Sequence, residues 1–383
     1  MKTCDELQIS GTVAIVGAGP AGLTLARLLQ MRGFSVRVFE RDDSPTSRMQ
    51  GGSLDLRPNS GQRAIRQAGL GHAFEQASRS EAKSFKMLDW QGEVRTEVEA
   101  ESQEDNGPEI DRGELRRLLL DSVSPGTITW GHVAKDVLPE TGGRWRLEFK
   151  EQASVTADLI VGADGIGSRV RPYLTPIRPQ YFGLTMLAAV IRKELWRDSE
   201  LSELLGEGSM LVSGGGQTIW VQRCAHDLIR LYFSMAIAED WPKSQGFTLD
   251  DTKAVLKFVT AAYHDWSPNL ITMMTQVEGS FERWPLYVMP PDHRWTTQPG
   301  LTMVGDASHV MPPFTGKGVN LALLDALELA DSLMVDPAAS VTAAVETFET
   351  RMQERTQQEI SECLDRGREI YGIDIHFDRQ PSA

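Results

Sequence analysis

Three glycines at fixed spacing are the first residues in this chain whose types and positions dictate a chemistry. Gly17, Gly19 and Gly22 form a Gly-x-Gly-x-x-Gly run, and Glu40 follows 23 residues after the first of them. Such a turn needs glycine for a tight reversal, for close approach of backbone to a pyrophosphate, and for close helix–strand packing. The helix start offers free N–H groups and a positive dipole end to phosphate oxygens. A carboxylate at Glu40 is placed to accept from both hydroxyls of a ribose. Together these residues predict a dinucleotide site, set against an ordinary strand–turn–helix, and do not separate FAD from NAD.

The elements around the run are those that such a site requires. Thr12 to Val16 is a short β-branched apolar stretch, as expected of a strand buried on both faces. Leu23, Leu25, Ala26, Leu28, Leu29 and Met31 supply a helix closed by Gly33, and Ser35 to Phe39 is a second strand ending at Glu40. The unit is a βαβ crossover, so its strands are parallel and its connection right-handed. Two later stretches return to this layer. Val155 to Val161 runs into Gly162-Ala163-Asp164-Gly165, and Leu301 to Val304 runs into Gly305-Asp306, followed by a helix from about Val319 to Leu333.

Between the returns the composition shifts. Leu184 to Ile191, Thr218 to Gln222 and Leu228 to Met235 read as strands rich in Trp, Tyr, Phe and Met, and predict an antiparallel sheet. The last part, about Val341 to Ile370, has helical spacing at Val341, Val345, Phe348 and Met352, and predicts a long amphipathic helix. The expected fold is α/β, with a discontinuous Rossmann-like domain over 1–175 and 291–338. A substrate domain over 176–290 and a bridging helix over 339–383 complete it.

A length of 383 residues, 41% of them hydrophobic, supports one large or two closely packed domains. The 39 basic and 53 acidic residues leave a net charge of −14, which argues against nucleic acid or an anionic membrane as the main partner. Cys4, Cys224 and Cys363 show no metal-ligand or CxxC spacing and read as reduced thiols, hence a cytoplasmic setting. Met1 to Ser10 is mixed polar and gives no signal peptide, and no apolar run reaches the length of a membrane span.

The long motifs around the three turns carry a resemblance. The stretch from Ala157 to Arg171 and the stretch from Gly305 to Asn320 resemble the second and third motifs of the single-component (group A) FAD-dependent aromatic-ring hydroxylases, typified by para-hydroxybenzoate hydroxylase. Within that family, Arg48 to Leu56, Glu109 to Arg116 and Met311 to Phe314 are similar to segments of the tetracycline-inactivating monooxygenases. The resemblance implies FAD as cofactor and NADPH or NADH as reductant. It implies that a flavin hydroperoxide inserts one oxygen atom from O2 into an aromatic or polycyclic small molecule. No side chain is then required as catalytic acid, base or nucleophile.

The resemblance also implies roles. Gly17, Gly19, Pro20, Ala21, Gly22, Glu40 and Arg41 would form the adenosine and pyrophosphate end of the site. Asp55, Arg116, Asp164 and Asp306 would contact FAD, and Arg48 would meet NADPH. Gly316, Gly318, Val319 and Asn320 would line the flavin, where a helix start faces the charge that develops on the reduced ring. Gly316, Pro313, Phe314, Trp220 and Tyr232 would line the substrate, with Phe233 beside them.

Bland readings stand beside these roles. Asp306 fits a helix cap, Asp164 a turn, Arg116 a solvated partner of Glu114, Arg48 a loop cation, and the strand aromatics a core. His309 reads as a hydrogen-bonded structural histidine rather than a base. In the middle domain, Met186 to Val190 and Leu231 to Phe233 are apolar where the tetracycline enzymes are polar, which favours a more apolar aromatic, a polyketide or an indole-type metabolite. A monomer is expected. The competing function is a flavin-bearing protein that binds or sequesters a small molecule without turnover; a flavin halogenase lacks its Trp-x-Trp-x-Ile-Pro segment here.

Overall fold

The computed structural model describes residues 11–47, 51–79, 85–98, 107–192, 200–206, 208–224, 228–335 and 340–377. Its first unit, β1 (Thr12–Val16), α1 (Pro20–Met31) and β2 (Ser35–Phe39), is the expected parallel crossover, with Pro20 at the helix start, where a missing N–H costs little. Next come β3 (Ser53–Asp55), α2 (Gly61–Gln67), α3 (Gly71–Ala77), β4 (Phe85–Asp89), β5 (Val94–Val98), β6 (Glu109–Asp111) and α4 (Arg112–Ser122). Short strands follow: β7 (Ile128–Thr129), β8 (Ala134–Pro139), β9 (Trp145–Phe149), β10 (Val155–Ala157) and β11 (Leu159–Gly162). The second half contains β12 (Gln180–Arg192), α5 (Glu200–Leu205), β13 (Ser209–Gly214), β14 (Gln217–Arg223), β15 (Leu228–Met235), α6 (Thr252–Ala262), α7 (Pro268–Thr275) and β16 (Glu278–Val288). The chain closes with β17 (Leu301–Met303), α8 (Asp306–His309), α9 (Gly318–Val335) and α10 (Val341–Tyr371).

Five parallel strands in the order β17-β11-β1-β2-β7 form the first sheet. Both of its faces are covered, which explains the unbroken apolar runs in β1 and β11. On one face, Ile15, Val38 and Val161 pack with Leu25 and Leu29 of α1, Leu327 of α9 and Phe348 of α10. On the other, Val16 and Ile160 meet Val137, Leu147 and Phe149 of the three-stranded sheet β10-β9-β8.

The second sheet has seven strands in the order β16-β12-β15-β14-β13-β4-β5, antiparallel except where β4 runs alongside β13. Strands β12, β14 and β15 lie where the sequence predicts them. Strands β4 and β5 were not anticipated there: they come from before residue 100 and reach this sheet by non-local pairing. Side chains alternate across the pleat. Leu187, Val221, Leu231 and Phe233 point outward, into a core closed by Val255, Val259 and Leu270 of α6 and α7. Met186, Tyr232 and Trp284 point inward, toward the first layer. Phe233 is therefore core and not substrate wall, because it follows Tyr232 and must face the opposite side.

Helix α10 joins the layers. Its start is capped by the Ser340 hydroxyl, which accepts the Ala343 N–H, and its end by Gly372 in the left-handed region. Val345, Phe348 and Met352 sit in the first core, whereas Ile360, Leu364 and Tyr371 belong to the cluster on the inner face of the second sheet. Burying a side chain such as Phe348 contributes about 2 kcal/mol, so a few such contacts fix a helix that is polar elsewhere. No helix among the described residues is long and apolar enough to cross a membrane.

Candidate active site

The three glycine turns, far apart in sequence, meet at the C-terminal edge of the parallel sheet. A Cβ on Gly17 would lie 2.4 Å from Ala163 O, and one on Gly22 would lie 2.1 Å from Gly17 O, so neither position admits a side chain. A Cβ on Gly305 would meet Ala322 at 3.1 Å and Ala21 at 3.5 Å, which puts the third turn between α1 and α9. Nothing lies within 4 Å of the Cβ position of Gly19, so that face of the first turn is open to a ligand.

A single buried cation ties the second turn to the third. Arg171 donates from Nε to Ala307 O at 2.7 Å, from Nη1 to Ile166 O at 2.9 Å, and from Nη2 to Asp306 O at 3.0 Å and Gly165 O at 3.4 Å. Four carbonyls satisfy a charge that burial would otherwise make costly. Behind it, Asp325 is fully buried and accepts from Gly305 N–H at 2.9 Å, His309 Nε2 at 2.5 Å and Arg355 Nη2 at 2.6 Å. Burial alone pushes its carboxyl up, but His309, Arg355 and the Gly305 N–H outweigh that and hold it below the ordinary carboxylate range. His309 is thus a structural residue, as its sequence context suggested.

Asp306 is deep and yet open. Its side chain is exposed, and the protein packed around it still pushes its carboxyl up against the pull of His309, Arg112 and Arg171. That combination describes a side chain on the wall of a recess open to solvent. Arg112, the first residue of α4, shares this wall: its guanidinium lies 5.8 Å over the Trp284 ring, and burial lowers its pKa. Burial also pushes the Asp55 carboxyl up, despite Arg57 at 3.5 Å.

Other predicted residues sit as follows. Glu40 is buried at the tip of β2, with Oε2 accepting the Ala18 N–H at 2.6 Å and Oε1 the Asp42 N–H at 3.0 Å, so it holds the first turn by its backbone. Arg41 is exposed beside it. Asp164 accepts the Arg169 N–H at 2.7 Å, closing its own turn. Arg116 is buried away from Asp306, donating to Pro45 O at 2.6 Å and lying 5.6 Å over Trp130, near the β2 end. It is not the solvated partner of Glu114. Arg48 lies outside the described residues.

Gly316 is left-handed, with its Cβ position 3.5 Å from Asp55 Oδ1, and Gly318 opens α9 with no atom within 4 Å of its Cβ position. Val319 follows it, partly buried, and Pro313 is exposed at the start of the preceding single turn. Asn320 is buried and spends its side chain on the β3 backbone.

The inner face of the second sheet supplies the opposite wall. The Tyr232 and Trp284 rings lie 5.6 Å apart, and Phe314 stacks between Phe182 and Tyr371, each at 5.1 Å. Trp220 meets Phe85 at 5.9 Å. Arg230, buried, donates to Glu282 at 2.6 Å and lies over Tyr232 and Trp284. Arg112, Gln222, Arg230 and Trp284 were missed from the sequence. Only Arg112 left a signal there: as the residue opening α4 directly after β6, it must sit beside β3.

A family model described as an FAD binding domain matches residues 10–196 and 293–375 of this chain. The chain belongs to that family. It is an FAD-dependent monooxygenase: Monooxygenase penA of Penicillium thymicola is 30% identical, with 84% of each chain covered. The 3-amino-4-hydroxybenzoate 2-monooxygenase of Streptomyces cremeus is 29% identical over 90% of this chain and 84% of its own. The Klebsiella pneumoniae protein HpxO, solved with FAD and uric acid, shares the fold at a TM-score of 0.80 and 18% identity, covering 95% of this chain and 90% of that one. Tetracycline destructase Tet(51) shares it at a TM-score of 0.70 and 17% identity, covering 94% and 91%.

The FAD-binding monooxygenase has a cradle that fits its cofactor. Gly19 is open where a pyrophosphate must approach, α1 and α9 both present helix starts, and the exposed Asp306 follows Gly305 at the turn set between those two helices. Bound there, FAD supplies the redox chemistry that carries electrons to O2 and one oxygen atom to a substrate. Among the described residues no cluster of three or more metal-ligating side chains occurs.

Proposed function

We propose that this monooxygenase takes electrons from NADPH or NADH to hydroxylate, or epoxidise, a small flat aromatic or polycyclic metabolite, of the tetracycline or polyketide type in its broad outline. The observation that carries the reading is the placement of Asp306, exposed at the third glycine turn, and of Arg112 beside the aromatic inner sheet face, where Arg112 lies 5.8 Å over the Trp284 ring. That face carries Met186, Tyr232, Trp284 and Phe314, with the polar Arg112, Gln222 and Arg230 among them. Rings of this kind favour a flat aromatic substrate, and Arg112 and Arg230 among them suit a polar or acidic substituent on it.

In this reading the first turn and Glu40 hold the adenosine end, with Pro20, Ala21 and Arg41 beside them. Asp306, Asp55 and the start of α9 hold the ribityl and ring end. Arg116, buried beside Trp130 at the end of β2, contacts FAD at that end, and Arg112 stands nearer the ring end beside Asp306. Asp164 keeps the second turn in shape against the first. Tyr232, Trp284, Phe314 and Trp220 exclude water and orient the substrate ring. Arg48 meets NADPH. The proposed division assigns 1–175 with 291–338 to the flavin unit and 176–290 to the substrate unit, with β4 and β5 joining the latter, and 339–383 to the bridging helix; the protein acts as a monomer.

The test is oxygen-dependent NADPH consumption by the FAD-loaded protein against aromatic polyketides, indoles, aminohydroxybenzoates and tetracyclines. The expected result is substrate-stimulated consumption with one oxygen atom gained in the product by mass. Tight binding of these compounds with no flavin reduction would turn the reading to sequestration. In the same assay Arg48→Ala raises KM for NADPH and leaves FAD content unchanged.

A further inference from the structure

Strand β3 is gripped at both ends by carboxamide side chains from different layers. At its C-terminal end Asn320, at the start of α9, donates to Asp55 O at 2.9 Å and accepts the Arg57 N–H at 2.8 Å. At its N-terminal end Gln222, on the inner face of β14, accepts the Ser53 N–H at 3.0 Å and donates to Ser53 O at 3.3 Å. The second grip copies the two-bond exchange of an antiparallel residue pair, with a side chain in place of a strand. Both amides are buried, at 1% exposure for Asn320 and 6% for Gln222. There is no slack at the Gln222 end. A Cβ on Gly52 would lie 2.4 Å from Gln222 Oε1 and 2.6 Å from the Tyr232 hydroxyl, and one on Gly51 would lie 2.8 Å from the Trp284 ring.

We infer that Gln222 is a positioning residue that sets the gap between the cofactor cradle and the aromatic sheet face. The inference rests on the function proposed above. Strand β3 is fixed to the cradle through Asn320 and through its pairing with β6, which leads into Arg112. Its link to the sheet at the Ser53 end is Gln222, and a second link runs from the Ser209 hydroxyl of β13 to Glu109 of β6 at 3.0 Å. A flat ring held between two walls tolerates little change in their spacing, and a misplacement of about 1 Å can cost about a hundredfold in rate. Losing the grip also leaves the buried Ser53 N–H and carbonyl without these partners, which favours local opening of β3.

The experiment compares the full-length FAD-loaded wild type with Gln222→Ala and Gln222→Glu. The glutamate keeps the length and an acceptor for the Ser53 N–H but loses the donor to Ser53 O. Three readouts are taken: amide hydrogen exchange of the segment 51–57, iodide quenching of bound-flavin fluorescence, and peroxide released per NADPH consumed. Gln222→Ala is expected to speed exchange at Ser53 about tenfold, to raise iodide quenching several-fold, and to divert more electrons to peroxide. Gln222→Glu is expected to fall between it and the wild type. A Gln222→Ala protein that loads FAD with wild-type exchange and wild-type quenching overturns the inference. So does a lowered thermal midpoint with quenching and peroxide yield unchanged, which would make Gln222 merely structural. Should the alanine variant fail to fold, the glutamate variant decides by the same readouts. If even the wild type takes up no FAD, the proposed function fails, while exchange at Ser53 in the flavin-free proteins still judges the grip.

Discussion

The two large sheets present their functional surfaces in opposite ways. The parallel sheet offers backbone: its turns at Gly17, Gly162 and Gly305 bring peptide groups together at one edge, and side chains there are either missing or turned away. The seven-stranded sheet offers side chains on one face, with Gln222, Arg230, Tyr232 and Trp284 projecting inward while their neighbours in sequence fill a core behind. A backbone site admits almost no variation, because a single methyl group collides with a carbonyl. A side-chain site can be rewritten residue by residue without touching the fold. The proposed function accordingly assigns shared cofactor chemistry to the first sheet and substrate choice to the second.

Four variants test that division, beginning with the largest effect. Gly22→Val drives side-chain atoms into Gly17 O, 2.1 Å from the Cβ position, and is expected to abolish FAD uptake and cost more than about 4 kcal/mol of stability. A yellow, stable Gly22→Val protein would break the comparison at its backbone side. Asp325→Asn removes a buried carboxylate from His309 and Arg355 and is expected to cost about 3–5 kcal/mol by chemical unfolding at neutral pH. Its folded pKa lies below the ordinary value, so the wild type keeps this contribution above the ordinary carboxylate pKa and loses it as pH falls. The deficit of the variant should accordingly shrink in acid.

On the side-chain surface, Trp284→Ala should leave FAD content and unfolding close to wild type while raising KM for an aromatic substrate by roughly tenfold. Equal losses of FAD and of substrate affinity would show that the walls are not separable. The smallest effect concerns Glu109, whose carboxyl burial raises to about 7 in spite of Arg79 and the Ser209 hydroxyl. A raised pKa in the folded state means that stability declines as pH climbs from the ordinary glutamate value toward 7, then levels off. Glu109→Gln should remove that slope and be relatively more stable than wild type at pH 8 than at pH 5. Parallel stability curves for the two proteins would count against the assignment.

Much of the fold was legible because its elements declare themselves locally. Thr12 to Val16 read as a strand buried on two faces, and the spacing of Gly17 and Gly22 marked them as glycines that a tight turn requires. The partnership of β4 and β5 with β13 was not legible, since pairing partners far apart in sequence leave no local trace. The sequence reading set Tyr232 and Phe233 on one substrate wall, whereas alternation along β15 turns them to opposite faces. Arg112 and Arg116 stand one helical turn apart in α4, and the resemblance alone favoured the second. Packing separates them: Arg116 lies beside Pro45 and Trp130 near the end of β2, and Arg112 lies over Trp284 on the side of Asp306. Gln222 had no signature at all, because a glutamine acting as a strand looks like any other glutamine.

Helix α10 seats Phe348 in one core and Tyr371 against the inner sheet face of the other without interruption. Each residue of an α-helix advances the angle by about 100° and the length by about 1.5 Å. An insertion or deletion of one codon between these two anchor points would swing every later contact around the axis, whereas exchanging one exposed polar residue for another would alter nothing of substance. Lineages of this gene should accordingly show free drift in the letters of that stretch and near-fixity in its length.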